Sequence, residues 1–443
     1  MYKTINHFAV RSRSFLLLLL LGFCGISGVF GQRVLTLEDA IQIALRKSLD
    51  IEVMRNDAAA AEILNNYGVA GGLPTVTATA SDQAQVTNIY QKLSTGTIIE
   101  RNGALGNNLS ANVAGTMVLY NGMRIQATKD RLEQIAGQRQ QLLTAQIQNT
   151  VASVMTQYYD VRRQEAYLKT IDGSIAVADK NLEIVTVRQS AGLANDADVF
   201  QAQLDLNSLR QQRLNQELTI AQAKSELLNL LNEDIQSDIS LSDSIAVNAS
   251  LNYDSLMAGL RMNPEIVAAS QEIAVQQLLE REVSAQRLPT LRANAGVNFG
   301  NNISNGGFQL ASRNYGPYAG LSLNVPIYNG SSLKRQEQVA ALATRNATLD
   351  REILRQDREA ALWRSWQTYQ NALMLLENEA QNVALSRRLL DLMVQKYSLR
   401  QATILELKQA QNSFEESGYR LVNLEFAAKA AEIELRRLGG NLR

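Results

Sequence analysis

One cysteine and one histidine are present in 443 residues, and both, Cys24 and His7, lie near the start of the chain. That stretch reads as a leader. Lys3, Arg11 and Arg13 form a positive n-region, Phe15 to Leu21 a short apolar core, and Val29-Phe30-Gly31 a small-residue cleavage site that leaves Gln32 first. The apolar run is shorter than the roughly 20 residues a spanning helix needs, so the expectation is a signal peptide over 1–31. The alternative, a lipid anchor on Cys24, is opposed by Phe23, which stands where a small residue is normally required. Without the leader the mature chain has neither Cys nor His. Cys nucleophiles, His general bases, Ser-His-Asp triads and His/Cys zinc sites are then all excluded.

Other scarcities narrow the class further. Proline occurs five times, aromatics make up 6%, and the formal net charge is zero. The charge balance offers no basic patch for nucleic acid. No Gly-rich phosphate loop ending in Lys-Ser/Thr is present, no Met, His or Cys cluster favours a metal, and no carboxylate pair stands out for catalysis. No cofactor is expected, and no enzyme. Ala, Leu, Gln and Asn are abundant, a composition suited to long helices.

What is present is doubled. Leu73-Pro74-Thr75 recurs as Leu288-Pro289-Thr290, 215 residues on, and Ser48-Leu49-Asp50-Ile51 aligns with Asn263-Pro264-Glu265-Ile266 at the same spacing. Tyr120-Asn121-Gly122 recurs as Tyr328-Asn329-Gly330, and Gln201-Ala202-Gln203 as Gln409-Ala410-Gln411, both 208 residues on. The offset changes once, as expected of one loop whose length is free. The halves are read as 32–232 and 251–440, joined by a linker at 233–250.

Each half carries two segments alternating between apolar and polar residues, expected as strands at 73–86, 109–120, 288–300 and 315–328, with loops near 87–108 and 301–314. Leu291, Ala293, Ala295, Val297 and Phe299, for example, alternate with Arg292, Asn294, Gly296, Asn298 and Gly300. Each segment is about 10 residues, the length of a tilted strand crossing a bilayer. Tyr120 and Tyr328 at the inner ends, with Tyr90, Tyr315 and Tyr318 toward the outer ends, fit aromatic girdles. Four strands have open edges that lipid cannot satisfy. They are also too few to close a barrel, for which roughly eight is the common minimum. Other subunits must complete them; the residues alone do not choose between two copies and three.

The rest is helical. A first helix begins at Thr36, which forms a capping box with Asp39, and runs toward Tyr67. From Met123 to Ser190 there is no proline, and a helix that long would span roughly 100 Å at about 1.5 Å per residue. Ile147, Val151, Val154, Tyr158, Val161, Leu168, Ile175, Leu182 and Val185 fit alternating steps of three and four with Glu165, Asp172 and Ala178 filling the gaps, and Leu362, Trp366, Tyr369, Leu373, Leu376, Val383, Leu390, Val394 and Tyr397 give the second copy on a period near 3.5. That period indicates coiled coil. Breaks at Gly192–Asn195 and Leu399–Thr403 mark the tips of helical hairpins expected over 122–232 and 330–438.

In this order of elements the chain resembles the TolC family of outer membrane efflux factors over essentially all of 32–440. The repeat of helix, Leu-Pro, strand, loop, strand, Tyr-x-Gly, long helix, tip and helix carries the resemblance, with a tip similar to Gly192-Leu193-Ala194, Asp198-Val199 and Ala202-Gln203. The resemblance implies a mainly α fold with membrane β: a homotrimer whose twelve strands form one barrel in the outer membrane of a Gram-negative bacterium, above a periplasmic α-tunnel. It implies a passive exit duct, lined by Asn, Gln, Ser and Thr, that works with a periplasmic adaptor and an inner membrane transporter. Drugs, metals or secreted proteins would all be possible cargo. It further implies gate residues at Asp198, Tyr397 and Glu406, and adaptor-contacting tips at Gly192, Leu193, Ala194, Gln401 and Ala402. The family's Arg five residues past the Tyr falls on Ala402, and a second acidic position falls on Gln409; Arg400 is the nearby cation available as a substitute. Three converging Glu406 carboxyls would raise one another's pKa. The competing reading is a trimeric coiled-coil fibre or adhesin of the cell surface, which needs no lipid-length strands.

Overall fold

The computed structural model describes residues 33–440 and Leu442. The expected leader and the question of Cys24 lie outside the described residues. Two compact units make up the chain. One contains the residues up to Ala44, Gln157–Ile245 and Ser386–Val422; the other contains Leu45–Thr156, Ala246–Leu385 and the residues from Asn423 on.

The first half runs β1 (Arg33–Leu35), α1 (Leu37–Lys47), α2 (Leu49–Leu64), β2 (Thr75–Lys92), β3 (Ile98–Tyr120), α3 (Arg124–Ser190) and α4 (Asp196–Leu230). Then come β4 (Ile239–Leu241), α5 (Tyr253–Leu260), α6 (Pro264–Ala285), β5 (Thr290–Ser304), β6 (Ala311–Asn324), α7 (Ser332–Ser398) and α8 (Ile404–Leu438). The duplication holds at single-residue accuracy in the hairpins. Helices α3 and α7 both have 67 residues, and α4 and α8 both have 35.

Local chemistry starts these helices. Thr36 and Asp39 form the expected box: Thr36 Oγ1 accepts from the Asp39 N–H at 3.1 Å and donates to Asp39 Oδ2 at 2.7 Å. The single helix expected from there to Tyr67 is two, because the Ser48 hydroxyl caps α2 by accepting from the Ile51 N–H at 3.4 Å. At each strand-to-helix turn two consecutive residues have left-handed backbone: Gly122 (φ 69°) with Met123 (66°), and Gly330 (65°) with Ser331 (61°). A Cβ on Gly122 would lie 2.6 Å from Leu288, so only glycine fits that turn.

The second unit holds a four-stranded antiparallel sheet in the order β2-β3-β5-β6. The expected loops are mostly strand. The first hairpin closes only at 93–97, so the extra length of the first half is paired backbone rather than loop. At the other end, β6 stops at Asn324, opposite Thr290 where β5 begins. Pro326, with no N–H to donate, follows at once, so Tyr328 is not a strand residue as expected.

Register sorts the sheet into two faces. One carries the rows Val76-Gly115-Ala295-Ala319, Ala78-Val113-Val297-Pro317 and Ala80-Ala111-Phe299-Tyr315. The other carries Thr77-Ala114-Gly296-Tyr318, Thr79-Asn112-Asn298-Gly316 and Ser81-Ser110-Gly300-Asn314. Tyr315 thus sits on the apolar face, as a girdle residue should. Tyr318 does not: it lies across Gly296, and its hydroxyl hydrogen-bonds Asn112 Oδ1 at 3.3 Å on the polar face. Strands β2 and β6 each have one unpaired edge.

The expected linker at 233–250 is structured. Strand β4 pairs in parallel with β1, Arg33 opposite Ile239 and Leu35 opposite Leu241. The fully buried Tyr158 of α3 donates to Asp243 Oδ2 at 2.7 Å and lies 3.0 Å from the Leu35 carbonyl; Asp243 Oδ2 also accepts from the Leu37 N–H at 2.8 Å. Arg162 donates to the Asp243 carbonyl at 2.7 Å and the Leu241 carbonyl at 3.2 Å. In the second unit Tyr369 bonds the Asn248 carbonyl, while Glu432 accepts from the Asn248 N–H at 3.0 Å and from Lys429 at 3.0 Å.

Within the second unit, the core about α7 and α8 joins Leu362, Tyr369, Ala431, Leu435, Leu438 and Leu256. A second stripe on α7, Val339, Leu342, Leu349 and Ile353, is exposed, with Asn346 completing steps of three and four. Leu49, Val53 and Ile63 of α2 form a similar exposed stripe. In the first unit, Phe200, Leu204, Leu214 and Leu218 of α4 and Leu389 and Leu392 of α7 do the same. Each of these helices carries an apolar coiled-coil face that this chain leaves uncovered.

Candidate functional site at the hairpin tips

Both tips lie in the first unit and are built by the same device at equivalent positions. At the end of α3, Gly192 (φ 70°) reverses the chain; the Leu193 N–H donates to the Arg188 carbonyl at 2.8 Å and the Gly192 N–H to the Gln189 carbonyl at 2.9 Å. At the end of α7 the equivalent residue is Arg400 (φ 62°), with the Gln401 N–H on the Lys396 carbonyl at 2.8 Å. This is the left-handed helix stop normally made by glycine. Arg400 accepts the strain of the conformation, and its backbone has a structural task of its own.

The next helices begin with capping boxes. Asn195 Oδ1 accepts from the Asp198 N–H at 2.9 Å, and Asp198 Oδ2 accepts from the Asn195 N–H at 3.1 Å. Thr403 Oγ1 accepts from the Glu406 N–H at 3.2 Å, while Glu406 Oε2 accepts from the Thr403 N–H at 2.7 Å and its hydroxyl at 2.9 Å. The Thr403 backbone bond, reinforced by its hydroxyl, holds the Glu406 carboxyl below the usual range. That shift is opposite in sign to the mutual raising expected of converging copies.

Tyr397 is only 7% exposed. It packs with Val185, Leu390, Leu407, Ala410 and Phe414, and Ala194 and Ala402 lie against the same cluster. Two residues expected as outward tip contacts are therefore half-buried, while Gly192, Leu193 and Gln401 are exposed. The cation on Tyr397 is Arg188, whose guanidinium stands 4.6 Å from the ring centre and donates to the Tyr397 carbonyl. Burial pushes the Tyr397 hydroxyl up; Arg188 opposes that shift and the Asp198 charge adds to it. Sequence reasoning considered Arg400 for this place and missed Arg188. A basic residue in the last turn of a long helix was the available signal, repeated in the second half as Lys396. Lys408 pairs with Asp205 at 2.7 Å and ties α8 to α4. Tyr397, Arg188, Ala194 and Ala402 are thus brought together, whereas Glu406, Arg400 and Gln401 lie at the surface.

Among the described residues no group of three or more His, Cys, Asp or Glu could hold a metal ion, and no helix is long and apolar enough to cross a membrane. The second statement does not bear on the sheet.

Residues 40–233 match the family described as "Outer membrane efflux protein". Over 224 residues the chain is 25% identical to outer membrane protein TolC of Vibrio cholerae serotype O1, covering 48% of this chain and 50% of that protein. The chain thus spans about half the length of the curated relative it matches. In fold it resembles the outer membrane channel CmeC of Campylobacter jejuni, with a TM-score of 0.76 at 13% identity, covering 92% of this chain and 86% of that one. It also resembles the outer membrane protein VceC of Vibrio cholerae, with a TM-score of 0.74 at 17% identity, covering 91% and 96%. Over its first half the chain is thus similar in sequence to the outer membrane efflux protein family, and over nine-tenths of its length it has the fold of solved outer membrane channels.

Proposed function

We propose that copies of this chain close a β-barrel in the outer membrane and continue it as a helical conduit in the periplasm, a passive exit for solutes delivered from the inner membrane. The observation that supports this most is the sheet. It has one apolar and one Asn/Ser/Thr face, and two unpaired edges. Lipid accepts the first face and water the second, but open edges are tolerated by neither lipid nor a stable monomer. In the second unit the element before the β2 edge, α2, and the element after the β6 edge, α7, both carry uncovered apolar stripes. A second copy of the chain offers both complements at once. Three copies would supply twelve strands, the number the family resemblance implies.

A periplasmic adaptor and an inner membrane transporter are the implied partners. The tips are the proposed entrance. Asp198, Tyr397, Arg400 and Glu406 form its lock, and Gly192, Leu193, Ala194, Gln401 and Ala402 are its partner-contacting rim. Loosening the tips would expose Tyr397 and release its contact with Arg188. A fibre or adhesin would account for the coiled-coil stripes but not for the two-faced sheet. Protein purified in detergent is expected to run as an SDS-resistant oligomer until heated, and to conduct ions in planar bilayers. A detergent-free soluble monomer without conductance would refute the reading.

A further inference from the structure

We infer that Arg292 sets the charge preference of the passage through the sheet and favours anionic solutes there. The inference rests on the duct reading above and adds a selectivity to it.

In the rows where three or four strands pair, three side chains carry charge: Asp82, Arg292 and Arg313. The register places Asp82 and Arg313 in one row of the apolar face, with Leu109 and Asn301 between them. Arg292 lies on the other face, between Val118 of β3 and Ser322 of β6. The next row on that face is Thr75-Thr116-Asn294-Gly320. None of these titrates, and none carries a compensating charge. Arg292 is exposed, and among the described residues it has no ion pair with a carboxylate.

A sheet closed with its polar face inward turns this into a ring. Every copy contributes one guanidinium at the same level, two residues into β5. An arginine on the lipid face could lead its charge out to headgroups; Arg292 faces the lumen and has no such exit. Low-dielectric walls of one sign focus the field and concentrate counter-ions. With no acidic group in these rows of the polar face to cancel it, the ring raises the local concentration of chloride, carboxylates and phosphates and lowers that of cations. A guanidinium also matches carboxylate and phosphate oxygens geometrically, so cargo bearing those groups would pass this level preferentially.

The test is reversal potential in a KCl gradient across planar bilayers holding the full detergent-purified protein. At about 0.1 M salt, where the Debye length is about 10 Å, Arg292→Gln is expected to lower the chloride-to-potassium permeability ratio roughly threefold. Ser322→Asp, which sets a carboxylate directly opposite Arg292 in the register, should lower it similarly while leaving the arginine in place. Arg292→Lys should leave it unchanged, and all differences should shrink near 1 M, where screening acts within about 3 Å. Conducting pores whose ratio is the same in the parent and in Ser322→Asp would overturn the inference alone, whether or not Arg292→Gln inserts. A parent protein that forms no pore would overturn the duct reading and the inference with it.

Discussion

Glu406 is asked to do two things, and they can be separated. Its carboxylate closes the capping box of α8 through Thr403, and its charge belongs to the proposed lock. Glu406→Gln keeps an acceptor for the Thr403 N–H and removes the charge; Glu406→Ala removes both. The glutamine variant is expected to unfold within about 0.5 kcal/mol of the parent, the alanine variant about 1 kcal/mol earlier. In bilayers both should weaken block of single-channel current by divalent cations. Undiminished block in the glutamine variant would remove Glu406 from the lock, whatever the alanine variant does to stability. Asp198 sits in the equivalent box of α4; both carboxylates were reached from the sequence only through the family resemblance, although their spacing of three from Asn195 and Thr403 was a local signal for caps. Arg188 was not legible, because its partner Tyr397 lies 209 residues away and no local pattern reports that meeting.

At the scale of elements, the strap across β1 and β4 depends on few atoms. Asp243 is held below the usual carboxylate range, first by the Tyr158 hydroxyl and then by the Leu37 N–H. Burial, with Asp243 nearby, pushes the Tyr158 hydroxyl up to about 12. A carboxyl whose folded pKa is depressed stabilises the fold above its unfolded value of about 3.9, and that contribution is lost as pH falls through the folded value. Asp243→Asn should therefore be less stable than the parent at pH 7, with the gap closing toward pH 3 in denaturant titrations. A gap independent of pH would show that the loss is packing and not charge. Tyr158→Phe should cost about 1.5–3 kcal/mol at neutral pH, the range for a buried bond to a charged group. The strap escaped sequence reasoning for a plain reason. Three-residue strands are too short to show periodicity, and β1 and β4 lie more than two hundred residues apart. The long helices were legible because their pattern repeats over 67 residues.

For the whole molecule, the uncovered stripe of α7 is the feature that an isolated chain cannot explain. Leu342 and Leu349 are exposed on a helix whose opposite side buries Ala340 and Ala347. The double variant Leu342→Glu/Leu349→Glu should leave helix content unchanged by circular dichroism, since neither residue supports the chain's own core. It should abolish the SDS-resistant oligomer and the conductance together, because like charges would replace an apolar seam. An oligomer that survives the double variant would place the partner elsewhere. Loss of helix content would show that the stripe serves the chain itself.

The sequence by itself determined the doubling, the two helical hairpins, the existence of four alternating strands and the Thr36–Asp39 cap, since all depend on local period, composition or short-range spacing. Tertiary structure alone decided the rest. Pairing set how far the strands extend, and register decided which face each side chain takes: Tyr318 and Arg292 among the polar rows, and Arg313 with Asp82 on the apolar face. It also brought β4 to β1 and Arg188 to Tyr397. These are contacts between residues far apart in the chain, and the free energy that selects them arises only when the segments meet.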